Sequence, residues 1–152
     1  MNESERLADQ LEKALNGEAW HGPSWRETLD GVTRDAALKR PIAGAHTIAE
    51  IVAHATTWHD VVRLRLNGES AQVSEAEDWP EARLRDDAAW NVAVKRLLAT
   101  GQALRDTVAA FPAARLHERR PGLEDTWYGL VLGQLQHMLY HAGQAAILKK
   151  AG

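Results

Sequence analysis

Two histidines, His137 and His141, stand four residues apart in the run Gln136-His137-Met138-Leu139-Tyr140-His141-Ala142-Gly143-Gln144. On a helix this spacing aims both imidazoles from one face. Neutral imidazole is the commonest metal ligand, and such a pair supplies two corners of a tetrahedral or octahedral site. The chain has no cysteine, so a third ligand must be histidine or carboxylate, and any reactive thiol must arrive with a substrate.

His54 is the candidate for the third corner. It lies about 10 Å into a predicted helix, with Ile51, Val61 and Val62 at helical spacing to turn it inward, and His137 lies roughly 18 Å into another. The two depths let three imidazoles converge from two neighbouring helices. The alternative is that His137 and His141 hydrogen bond in the core or face water. His59 and His117 read as ordinary surface or capping residues. Glu50, one turn before His54, reads as a helix cap rather than a base or ligand.

The helix face beside the pair is almost bare: Gly129, Gly133, His137, His141 and Ala145 follow one another at four-residue steps. A mid-helix glycine costs about 1 kcal/mol relative to alanine. Either close helix packing or an open cavity above a metal would offset that. Gln134 and Gln144, three residues outside the pair on each side, are positioned to orient the ligands or hold a substrate. Trp58, Trp20 and His21 are candidates for the entrance.

The elements that must position these residues are helical throughout. Apolar positions Leu7, Leu11, Ala14 and Leu15 predict a first helix over about 4–15, stopped by Asn16-Gly17. Ser24 with Glu27 forms a capping-box pattern for a short helix through Leu29, and Thr33 caps another turn. Thr47 with Glu50 opens a second long helix ending at Asn67-Gly68. A polar connection over 69–80 leads to a third over about 81–110, with Trp90, Val94, Leu97, Gly101, Leu104 and Val108 as its buried stripe. The fourth covers about 125–150, where Lys149 and Lys150 suit the C-terminal dipole. The expected fold is all-α: a four-helix bundle with short helical turns between its first and second long helices.

With 152 residues, 45% hydrophobic and 26% charged, the chain predicts a single domain over 1–152. The net charge is −3, and acids and bases are interspersed, so nucleic-acid binding is not expected. The polar start and the lack of a long apolar run predict a cytoplasmic protein with no membrane association. Six tryptophans accompany one phenylalanine and fall mostly at helix starts and in connections, which they are expected to pin.

The segment 128–144, the helix around Glu50, His54 and Trp58, and the loops at 19–24 and Asp78-Trp79-Pro80 together resemble the DinB-like (DinB/YfiT) superfamily of metal-dependent enzymes. The resemblance implies a DinB/YfiT-like four-helix bundle holding a divalent metal, commonly nickel or zinc, through His54, His137 and His141, with water completing the coordination. It further implies a homodimer acting on a small-molecule substrate, with low-molecular-weight thiols such as bacillithiol or mycothiol as cosubstrates in transferase and isomerase reactions. A hydrolase built on a metal-bound hydroxide is the simpler chemistry. The competing reading is a non-catalytic metal-binding or small-ligand-binding helical bundle. His21, Trp58, Gln134 and Gln144 are the expected pocket and supporting residues.

Overall fold

The computed structural model describes residues 1–152, and its helices begin where the capping chemistry places them. Helix α1 (Glu3–Asn16) starts at Asn2, whose side chain and that of Glu5 satisfy each other's backbone N–H groups. Two short helices, α2 (Trp25–Leu29) and α3 (Arg34–Leu38), come next with Ser24 and Thr33 as caps. Helix α4 (Ile48–Leu66) opens on the Thr47–Glu50 capping box, which confirms the cap reading of Glu50. Its carboxylate also pairs with Arg40 at 2.8 Å.

Three later boundaries differ from expectation. Ser74 and Glu77 form a further capping box, so the polar connection contains a one-turn helix, α5 (Glu75–Asp78). The third long helix, α6 (Asp87–Ala110), starts six residues later than the composition of 81–86 suggests, because Asp86 caps it through the Ala89 N–H. Glu, Ala, Arg and Leu favour helix. Here the alternation of burial matters more: Ala82 and Leu84 lie against the core, while Glu81, Arg83 and Arg85 face water along an irregular strap. The last helix, α7 (Trp127–Ala151), is capped by Thr126 and so begins two residues late.

The four long helices close a ring in which α1 and α4 each touch both α6 and α7. One apolar core runs through it, including Leu11, Leu15, Ile48, Ile51, Val52, Leu97, Leu104 and Met138. There are no strands beyond one isolated bridge between Arg119 and Thr126. No helix is long and apolar enough to cross a membrane.

Two side chains tie α2 to α7 and thereby fix the register of the histidine-bearing helix. The buried Trp25 indole donates to the Met138 carbonyl at 3.1 Å, between the two histidines of α7. Lys149 donates to the Thr28 and Asp30 carbonyls, so its charge serves the end of α2 in addition to its own helix. Trp25 and Trp90 act as the expected pins, Trp90 through a 2.6 Å bond to the Val32 carbonyl. Trp20 does not: it is fully exposed, because the turn at 19–22 leaves it nothing to pack against.

Candidate metal centre

His54 on α4 and His137 and His141 on α7 come together through the same atom of each ring. The Nε2 of His137 lies 2.9 Å from the Nε2 of His54 and 3.0 Å from that of His141. Two nitrogens bound to one cation at about 2.1 Å and a right angle would be about 3.0 Å apart, so the donor set fits a divalent metal. No carboxylate or fourth histidine joins the cluster.

The outer ring nitrogens explain why Nε2 is presented. His54 Nδ1 donates to the Asp78 backbone carbonyl at 2.6 Å, and His141 Nδ1 donates to Gln144 Oε1 at 2.7 Å. Each bond places the proton on Nδ1 and leaves the Nε2 lone pair facing the centre. Burial, then the neighbouring His141 and His54 rings, push the His137 imidazole down to about 3. Burial likewise lowers His141, opposed by its bond to Gln144. Both rings are therefore neutral, as ligands must be, at ordinary pH.

The connection from α4 to α6 supplies a wall that the sequence alone does not reveal. Trp79 stacks on His54, with ring centroids 3.9 Å apart and planes 7° from parallel, and His46 stacks on its other face at 3.5 Å. Asp78 Oδ1 lies 3.2 Å from His54 Nδ1 and accepts the Trp58 indole N–H at 2.7 Å. The only sequence signals for this wall are the Ser74–Glu77 capping pattern and the Asp78-Trp79-Pro80 triplet.

A cavity of about 390 Å³ opens beside the cluster, lined by His54, Trp58, Asp78, Gly133, Gln134 and His137 among others. Neither glycine is explained by helix packing. A Cβ on Gly133 would meet nothing within 4 Å, so that glycine leaves open space. A Cβ on Gly129 would meet only the side chains of Asp125 and Thr126 at the start of the same helix, and no neighbouring helix. A larger cavity, about 650 Å³, lies between α4, the strap and α6, and none of the three imidazoles lines it.

The remaining candidates separate clearly. Trp58 and Gln134 line the cavity, and Gln144 supports His141 from behind. His21 is exposed in its turn, 3.2 Å from the Pro23 carbonyl, and does not line the cavity. His59, read as a surface or capping residue, is instead fully buried beside Thr100 of α6; burial pushes it down to about 4. It lies five residues past His54, on the face of α4 turned toward α6.

An all-α chain with a partly buried three-histidine cluster on two adjacent long helices defines a helical protein equipped for a metal. More particularly, a family model described as the DinB superfamily matches residues 19–145, and the chain belongs to that superfamily. No curated protein and no solved structure matches it.

Proposed function

We propose that the protein is a divalent-metal-dependent enzyme whose ligands are His54, His137 and His141. The observation that carries this is the convergence of three Nε2 atoms, two with their Nδ1–H groups already anchored, at the edge of a cavity that Gly133 leaves open. Structural zinc normally has four protein ligands, whereas catalytic zinc keeps a position for water or substrate. Three neutral imidazoles leave a dication its full charge, which favours ionisation of a bound water or thiol.

Nickel and zinc are the proposed metals. The chain's own residues would bind and orient: Trp58 and Gln134 flank the cavity, and Gln144 and Asp78 hold two ligand rings. The proposed reactions are transfer from a low-molecular-weight thiol cosubstrate, for which the protein needs no cysteine, or hydrolysis. We further propose a cytoplasmic homodimer that acts on a small molecule and not on nucleic acid. His21 could approach an entrance only if its turn moves.

The test is elemental analysis of untagged protein and of His137→Ala, followed by a panel of electrophiles with and without small thiols. One metal per chain, lost in His137→Ala, is expected. Full occupancy in the variant would refute the ligand set, and a metal with four protein ligands and no exchangeable position would refute the enzyme reading in favour of a non-catalytic metal-binding protein.

A further inference from the structure

The larger cavity, between α4, α6 and residues 72–84, shares no lining residue with the cavity beside the imidazoles. Its volume of about 650 Å³ falls within the range of about 300–1,000 Å³ usual for small-molecule sites. Small side chains at four-residue steps keep it open: Ala49, Ala53 and Thr57 on α4, and Ala89 and Ala93 on α6. Val92, 64% exposed, also lines it and so stands at its mouth.

The strap roofs this space as an arch held at its two ends. Trp79 is fixed between His46 and His54, and the Leu84 carbonyl accepts from Arg34 Nε at 2.9 Å. Between these anchors the backbone of residues 80–85 makes one backbone hydrogen bond, from the Arg83 N–H to the Glu81 carbonyl, and none to α4 or α6. The roof can therefore lift without breaking a ladder of bonds.

The charges around the cavity decide what fits it. Asp60 pairs with Arg63, Glu81 pairs with Arg83, and Glu77 accepts from the Ser74 backbone N–H in its capping box. Of the charged lining residues Arg96 alone has neither an ion pair nor a hydrogen bond, and the Gln72 amide is likewise unpartnered. A free guanidinium offers a fork of N–H donors that matches a carboxylate. The three acids nearby disfavour a more highly charged head.

We propose that this cavity is a binding site for a small amphipathic monocarboxylate, its apolar body along Ala53, Val92 and Ala93 and its carboxylate on Arg96. Gln72 supplies a second donor to the head. The site is independent of the metal reading, because the two cavities have separate walls.

Calorimetric titration of the untagged protein with octanoate, octanol and octylamine tests it. Octanoate should bind once per chain and roughly tenfold more tightly than octanol, since a hydrogen bond to a charged group is worth that much, and octylamine should bind most weakly. Arg96→Gln, at an exposed position, should erase the advantage of octanoate over octanol and leave octanol unchanged. Ala93→Leu, which fills the cavity, should weaken both without lowering the melting temperature. Equal binding of the three probes, or an advantage that survives in Arg96→Gln, would overturn the carboxylate assignment. No saturable binding, or binding unchanged in Ala93→Leu, would overturn the site. A dimer seen by sedimentation, split by Val92→Asp and taking up no octanoate, would give the cavity to a second copy of the chain and overturn the ligand.

Discussion

Acidification should destabilise the fold through one residue outside the metal cluster, His59. Its ring is fully buried on α4, with Nδ1 3.2 Å from Thr100 Oγ1 and no partner for Nε2. Burial lowers it from 6.5 to about 4, so between these values the unfolded chain binds a proton there that the folded chain refuses. The contribution is therefore whole above about pH 6.5, falls away as the pH drops toward 4, and changes little below. The gap between 6.5 and about 4 is worth roughly 3 kcal/mol. For a domain of this size that corresponds to a melting temperature lower by about 6–12 °C.

The assay is thermal and urea unfolding from pH 7.5 to 4, with a chelator present to remove metal linkage, on the wild type and on His59→Leu. Leucine keeps apolar bulk and removes the unpartnered Nε2, so the variant should lie within about 1 kcal/mol of the wild type at pH 7.5. It should then lose roughly 3 kcal/mol less on acidification. His137 and His141 titrate in the same direction in both proteins, and His59 is only a minor cause of the His137 shift, behind burial, His141 and His54, so the difference reports chiefly on His59. Parallel losses in the two proteins would refute the reasoning.

The glycines of α6 and α7 should respond in opposite senses. Gly133→Ala, with open space around the new methyl, should raise stability by about 0.5–1 kcal/mol. Gly101→Ala should lower it by about 1–2 kcal/mol, because the methyl would stand 2.7 Å from Leu15 Cδ1 and 3.2 Å from His59 Cε1; chemical denaturation measures both. Gln144→Leu removes the acceptor for His141 Nδ1 and should weaken metal binding about tenfold to a hundredfold in a chelator competition, and an unchanged affinity would show that this bond does not orient the ligand. Trp79→Ala, which strips the stacked wall from His54, should likewise weaken the metal by about tenfold, with little change if the wall is only a cover.

Much of this protein is legible locally. The Thr47–Glu50 and Ser24–Glu27 boxes mark helix starts because a cap involves only residues three apart, and the structure begins α4 and α2 there. The His137–His141 spacing is likewise a statement about one turn of one helix. His54 is reached by depth, since a residue about 10 Å along one helix can meet residues midway along a neighbour. Where composition and tertiary packing disagree, packing prevails: most of residues 81–86 have helix-forming side chains yet stay outside any helix, because Ala82 and Leu84 bury on alternate positions and Asp86 caps helix α6.

The sequence by itself determined the helical class, the single histidine pair that could begin a metal site, and the third histidine able to complete it. Those features depend on periodicity, capping and residue type, which are local properties. Only the tertiary structure decided that the Asp78 carbonyl orients His54 from 24 positions away, that Trp79 stacks between His54 and His46, and that His59 is buried. A backbone carbonyl has no residue signature. Which face of a helix a neighbour covers is set by all the chain packed against it, and so these contacts exist only once the helices and the strap have closed together.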